Sequence, residues 1–564
     1  MGKLVRLGQG SDGEITVADH LRDTHMHILG ISGQGKSYFI EQIVREDILN
    51  GHGVCVIDPH GELFENLSRW IVTKNIDTYR KVHLLDPSNP DWSFGWNPLA
   101  VEDGRSLSAK VETLVDAFEK VWGGGSFAQT PRLRKCLSAV LYALGHNKLS
   151  LAEARFFTRL QFRDVAKRLT ANIDNEEYAA LWKEFLYDMP DKMFLEYFDS
   201  TVSRLMVFLA DDTIRTIVGQ TDNVIDFKQA MDRGEIVLIN LNKGSALTDE
   251  SARLLGALIC SDLYNAAFAR DLKTAKERPF HLTIDECADF LTGSIVNSLD
   301  QTRKFGLHIC LSHQRLAQLK KYGDDFFNAV MANAQLKVMF KAGDDDTAEV
   351  MAKHLFRREF NLEIPKEILS KPTVVDYDIY TLQSKSESRS GVTGSGKAEG
   401  SSSGMNAAIS QLFNPDGDEI GGYTEFNSEA SGNSQSSSNF SATGQSASMG
   451  ESETLIPVLE VLPTATYSLD ELVHLGMVTL LSLPKRMAYI ASPELPARCF
   501  STQTIRPALI LDKGFRRALN AVRGQSEFSI PRQDAQDAIL TRAQSILGKD
   551  AEPALVDPED DGWG

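Results

Sequence analysis

The chain has 564 residues, of which 42% are apolar and 24% charged, and its formal net charge is −18. That length allows two or three domains, and the acidic balance excludes a generally basic nucleic-acid binder, though not DNA held in a narrow basic channel. No apolar run reaches 18 residues, the start Met1-Gly2-Lys3-Leu4-Val5-Arg6 lacks a secretion-signal core, and Cys55, Cys136, Cys260, Cys287, Cys310 and Cys499 form no C-x-x-C pair, so a cytoplasmic chain with small core cysteines is expected.

In chain order, residues 1–23 read as a small hairpin turning at Gly8-Gln9-Gly10-Ser11-Asp12-Gly13. His25-Met26-His27-Ile28-Leu29 is a short apolar strand, and Gly30-Ile31-Ser32-Gly33-Gln34-Gly35-Lys36-Ser37 follows it as G-x-x-x-x-G-K-S. Tyr38–Val44 then has helical apolar spacing. A strand, a glycine loop and a helix start make a phosphate cradle, because the loop amides and the helix N-terminus converge on an anion. The expected nucleotide-binding set is Gly30, Ser32, Gly33, Gln34, Gly35, Lys36 and Ser37. Lys36 reaches the β- and γ-phosphates of ATP, and the Ser37 hydroxyl is a Mg²⁺ ligand.

Gly53–Asp58 is a continuous apolar run ending in an acid, as a buried parallel strand requires. A helix after Pro59-His60-Gly61-Glu62-Leu63 and a strand at Val82–Leu85 follow. Between about 104 and 232 the spacing is helical, in Ser106–Val121, Arg132–Leu144, Glu176–Tyr187 and Met193–Leu209. This is an all-α insertion, and its basic cluster Arg132, Arg134 and Lys135 reads as a solvated helix face before a DNA contact. Strands resume at Glu235–Leu241, Phe280–Ile284, Leu307–Leu311 and Leu336–Phe340, with a long helix at Asp249–Arg270. Strands alternating with helices imply a mostly parallel sheet covered on both faces.

Residues 384–453 are rich in Ser, Gly and Asn, a composition that cannot bury enough apolar surface to fold alone. Strand-like sequence returns at Leu455–Leu462, near Leu480 and at Met487–Ile490, so the segment is an excursion within or beside the sheet. Asp550–Gly564 reads as a mobile acidic tail. The expected organisation is 1–103, first part of the nucleotide-binding domain; 104–232, all-α insertion; 233–383, second part; 384–453, low-complexity segment; 454–510, β-containing segment; and 511–564, helical and acidic tail.

Asp285-Glu286 ends an apolar strand, where the aspartate serves the Mg²⁺ shell and the glutamate takes the proton of the attacking water. Gln314, after the next strand, is placed to face the γ-phosphate. Arg303 ends a helix, where it answers the helix dipole or acts as an arginine finger on a neighbouring subunit, and Lys341 is a further basic group of that kind. One P-loop per chain implies a homo-oligomer with shared sites.

Gly30–Ser37, Asp58–Leu63, Asp86-Pro87 with Phe94–Leu99, Asn240-Leu241-Asn242-Lys243-Gly244, Ile284-Asp285-Glu286 and Ser312-His313-Gln314 occur in one order. Over about 24–355 the chain resembles the conjugative DNA-transfer (type IV coupling) ATPases of the HerA/FtsK superfamily. The resemblance implies a RecA-like P-loop NTPase core with an inserted all-α domain, in a hexameric ring around a DNA channel. By position, Arg303 matches the arginine finger, Gln314 the γ-phosphate sensor and Lys341 a basic residue acting in trans. Coupling ATPases usually carry N-terminal transmembrane helices, which this sequence does not show, and the Ser/Gly segment is foreign to the pattern. The expected function is ATP-driven DNA translocation as in conjugative transfer, with a relaxase or a secretion channel as partner. The alternatives are a HerA-like translocase serving a nuclease in repair or defence, and a type IV protein-secretion ATPase.

Overall fold

The computed structural model describes residues 4–11, 13–101, 106–123, 131–222, 224–242, 247–293, 296, 299–360, 365–367, 373–393, 400–413, 426–434, 441–460 and 465–548. The acidic tail and Lys243-Gly244 lie outside the described residues. β1 (Leu4–Gly10) and β2 (Gly13–Ala18) form an antiparallel hairpin. β3 (Met26–Leu29) leads through the glycine loop into helix α1 (Lys36–Leu49), and β4 (Gly53–Asp58) leads into α2 (Glu62–Thr73). There follow β5 (Val82–Leu85), β6 (Trp92–Phe94), β7 (Ile236–Asn240), β8 (Phe280–Ile284), β9 (Leu307–His313) and β10 (Leu336–Met339).

Among the described residues between β6 and β7 the regular elements are helices, with α3 (Leu107–Gly123), α4 (Pro131–His146) and the helix Asp191–Ala210 among them. Two members of the basic cluster there are paired with acids within the helices. Arg134 pairs with Glu112 and, at 2.6 Å, with Glu119; Lys135 reaches Glu184 at 3.2 Å; and Arg132 lies 4.9 Å from the Tyr197 ring. Arg134 and Lys135 thus belong to a salt-bridged helix face, and Arg132 rests against an aromatic ring.

Residues Asn361–Leu469 form a compact unit of their own. It contains β11 (Pro365–Glu367), β12 (Thr373–Thr393), β13 (Gly400–Phe413), β14 (Phe426–Ser434), β15 (Ser441–Glu460) and β16 (Ala465–Thr466). β14-β13-β12-β15 is a four-stranded antiparallel sheet, which corrects the expectation that residues 384–453 form no fold of their own. A ladder satisfies its N–H and C=O groups along the main chain whatever the side chains are. Among the described residues of this segment, Met449 is exposed, and on the flanking parts of β12 and β15 so are Tyr377, Ile379 and Leu455.

The helix Leu469–Leu481 occupies the stretch near Leu480 where a strand was expected. Its buried Leu472, Val473, Gly476 and Leu480 follow helical rather than alternating spacing. Beyond it lie β17 (Met487–Ala491), β18 (Arg498–Thr502), the helix Asp512–Gln525, β19 (Ser529–Pro531), which pairs with β6, and the helix Arg532–Leu547.

The main sheet has eleven strands in the order β2-β1-β18-β17-β10-β3-β9-β8-β4-β7-β5. The run from β10 to β5 is parallel, and the strands from β17 outward are antiparallel. Alternate residues of the central strands serve two cores. Cys55, Ile57, Val237 and Ile239 join the apolar residues of the helical insertion, whereas Val54, Val56, Ile236 and Leu238 pack with those of α1 and α2. Burial on both faces explains why these strands are apolar throughout. Each fully buried large apolar side chain contributes about 1.5–3 kcal/mol. Exposed pairs such as Lys353–Glu349 are screened by water and contribute little, so the buried apolar cores hold the sheet.

Candidate active site

The P-loop crosses the carboxyl end of β3. Gly30 has φ 150°, and a Cβ there would lie 2.5 Å from the Phe340 Cβ, so only glycine lets the loop pass β10 so closely. Gly35, at φ 109°, turns the chain into α1. Ile31 N–H donates to the Lys341 carbonyl at 3.1 Å, and Arg486 N–H donates to the Gln34 carbonyl at 2.8 Å. The loop is therefore propped by β10 and by the turn before β17. Lys341 accordingly stands beside the P-loop of its own chain.

Lys36 is buried, and its Nζ donates to the Gly30 carbonyl at 2.6 Å. Burial pushes its ammonium below the ordinary lysine value, against the pull of Asp285 and Glu286. An ammonium held among loop carbonyls fits a group that binds phosphate, and the two carboxylates it faces fit groups that bind a cation. Ser37 is exposed in the first turn of α1.

Asp285 and Glu286 follow β8, and β9 lies between β8 and β3. The Ser312 hydroxyl, on β9, donates to Asp285 Oδ1 at 2.8 Å. Burial raises the Asp285 carboxyl above the usual range, Ser312 opposes the shift, and the carboxylate of Asp58 adds to it. A buried acid facing a second acid favours a bound cation, which removes the cost of both charges. Glu286 adopts the left-handed region at φ 47°. Its Oε1 accepts from Gln314 Nε2 at 2.7 Å, and Gln318 Nε2 lies 3.5 Å from its Oε2. Gln318 Oε1 also accepts from the Gln314 and Arg315 main-chain N–H groups at 2.9 and 3.0 Å. Gln314 is thus joined to the glutamate expected to act as base.

Several supports were not expected from sequence. Gln318 and Ser312 hold the acid pair, and Arg486 holds the P-loop. Arg523 donates to Asp86 Oδ2 at 3.0 Å, while Asn240 Nδ2 donates to Asp86 Oδ1 at 2.9 Å. The Asp58 carboxylate accepts from the His60 and Phe64 N–H groups at 2.8 and 2.9 Å, fixing the turn into α2. Lys120, on α3, donates to the carbonyls of Ala288, at 2.9 Å, and Leu291, on the loop that follows Glu286.

Lys120→Met removes both bonds, and turnover is expected to fall about tenfold with nucleotide affinity unchanged; hydrogen bonds from a charged donor are worth about 1.5–3 kcal/mol each. Burial pushes the Lys120 ammonium down to about 7 from the model-compound value of 10.5. Below pH 7 the folded and unfolded chains both hold this proton, and between pH 7 and 10.5 the folded chain gives it up first. Stability therefore rises with pH across that interval. The rise is expected to be smaller in the variant, as thermal unfolding over the same pH range checks.

Arg303 lies elsewhere. It opens a 3-10 turn, Arg303–Phe305, before β9, at the opposite end of the strand from Gln314. A seven-residue strand spans roughly 20 Å, so Arg303 does not meet the P-loop of its own chain. It is exposed and lines a cavity of about 770 Å³ with Asp23, Lys276, Lys304 and His308.

Fold and site together define a P-loop NTPase with a RecA-like core, in which one strand separates the P-loop strand from the acid-pair strand. Residues 2–151 match the family model of the helicase HerA central domain, and residues 279–364 match that of the TraM recognition site of TraD and TraG. Among solved structures, the chain is similar to the bacterial conjugative coupling protein TrwBdeltaN70 in its unbound form, with TM-score 0.51 and 14% identity over 90% of each chain. It is likewise similar to the plasmid coupling protein TrwB in complex with ADP and Mg²⁺, with TM-score 0.50 and 13% identity over 91% of this chain and 93% of that one. No curated protein sequence matches the chain. The resemblance to coupling and HerA-type ATPases is therefore carried by family models and by fold. Among the described residues, no helix is long and apolar enough to cross a membrane.

Proposed function

We propose that the chain is a Mg²⁺-dependent ATPase that drives DNA through a ring of its own copies, as in conjugative transfer. The observation that carries this reading is the meeting of Lys36, Asp285, Glu286 and Gln314 at the carboxyl ends of three adjacent strands, with Arg303 at the opposite end. Lys36 and the loop amides would hold the phosphates of ATP, and Ser37 and Asp285 would hold Mg²⁺, which offsets phosphate charge when bound. Glu286 accepts the proton of the attacking water, and Gln314 keeps its carboxylate aimed. Arg303, too far from its own site, serves the next subunit. The match to the TraM recognition site of TraD and TraG supports a partner belonging to a DNA-processing complex. The match to the HerA central domain favours a second reading, a translocase working with a nuclease.

The test is ATP turnover with and without DNA. Single- or double-stranded DNA is expected to raise the rate, and the effect should fade steeply with added salt, because the acidic chain has only local positive charge to offer phosphates. A rate indifferent to both kinds of DNA would favour protein secretion instead.

A further inference from the structure

Four buried histidines stand side by side at the amino-terminal ends of four adjacent central strands, remote from the P-loop. His25 precedes β3, His308 and His281 are the second residues of β9 and β8, and His52 precedes β4. The 3-10 turn Asp19–Thr24 lies against this row. Asp19 Oδ2 is 2.9 Å from His52 Nε2, and the His52 and His281 ring centroids are 4.9 Å apart. One ligand atom from each of Asp19, His52 and His281 lies within 4.8 Å of the other two.

Against the effect of burial, His52 pairs with Asp19 and holds its carboxyl down. Among the described residues, His52 Nε2 and Asp19 Oδ1 have no hydrogen-bond partner, although His52 is only 6% exposed. Buried polar atoms rarely stay in that condition, and a carboxylate and two imidazoles whose ligand atoms converge within 4.8 Å suit a cation. The nearest positive charge, Arg22, is 3.7 Å from Asp19 Oδ1, but its guanidinium is engaged by both oxygens of Asp47, at 2.8 Å for Oδ2. Arg22 is thus shared between Asp47 and Asp19. His308, which lies 3.6 Å from Asp23, packs its ring 5.3 Å from that of His281 and continues the row.

We propose that Asp19, His52 and His281 bind a single Zn²⁺ ion, with water completing a tetrahedral shell. Two imidazoles and a carboxylate suit zinc, whereas Mg²⁺ prefers oxygen alone. Bonds of about 2.1 Å place tetrahedral ligand atoms about 3.4 Å apart, which small side-chain rotations supply from the present spacing. Asp19 is partly exposed on its turn, and a cavity of about 480 Å³ bounded by His52, Gly53, Gly234 and Arg278 provides an approach. The ion would join the turn before β3 to the start of β4 and to β8, tying together the feet of the strands whose far ends carry the P-loop and the acid pair.

The test uses the full chain, stripped with a chelator and titrated with CoCl₂ and then ZnCl₂. The expected result is one equivalent of Co²⁺ with the visible absorption of a four-coordinate site, displaced by Zn²⁺. A rise in melting temperature with ZnCl₂ that MgCl₂ does not reproduce should accompany it. Asp19→Asn and His281→Gln should each weaken zinc binding by at least about tenfold, since even loss of a group supporting a ligand costs 10–100-fold, and nucleotide binding at Lys36 should be unaffected. If a variant fails to fold, the cobalt spectrum of the unsubstituted chain decides by itself. Absence of that spectrum, or zinc affinity unchanged in a folded variant, overturns the proposal.

Discussion

Arg303→Ala is expected to lower ATP turnover by about 10³–10⁵-fold, the worth of an arginine finger, while nucleotide still binds. The reason is geometric. Arg303 precedes β9, whereas Gln314 and the acid pair stand where β9 and β8 end, so one subunit cannot bring its own arginine to its own phosphates. The decisive measurement mixes two inactive proteins, Arg303→Ala and Glu286→Gln. A subunit carrying Arg303→Ala keeps its own base, and a Glu286→Gln neighbour can lend it an intact arginine. Partial recovery in mixed rings is expected. No recovery, in rings shown by mass to be mixed, would remove Arg303 from the neighbour's site.

Glu286→Gln is expected to bind ATP and to lose turnover by about 10²–10⁴-fold, the usual contribution of a positioned base. The substitution keeps the side chain's size and leaves an oxygen to accept from Gln314 Nε2, now 2.7 Å from Oε1. What it removes is the capacity to accept a proton from water. Phosphate release measured beside binding of a fluorescent ATP analogue separates the two effects. A variant that turns over like the parent chain would show that another group takes the proton.

Much of this site is legible in the sequence because its parts are local. Eight consecutive residues, Gly30–Ser37, carry the loop, and apolar runs ending in Asp58 and Asp285 mark strands buried on both faces. The low-complexity segment shows the opposite case. Its composition indicates a lack of core, but main-chain pairing, which composition does not encode, makes it a sheet. Near Leu480 a short apolar run fits a strand or a buried helix face equally well, and packing of Leu472, Val473 and Leu480 decides for the helix.

The sequence by itself determined the P-loop, the acid pair, the alternation of strands and helices, and the all-α insertion, since each depends on residues within a few turns of one another. Tertiary structure alone decided that β9 separates β3 from β8, bringing Ser312 to Asp285 and Gln314 to Glu286. It alone brought Arg486 to Gln34, Lys120 to the loop after Glu286, and Asp19 to His52 and His281. Strand order sets these neighbours, and a lone polar residue in a loop carries the same local pattern whether it meets water or a distant carboxylate.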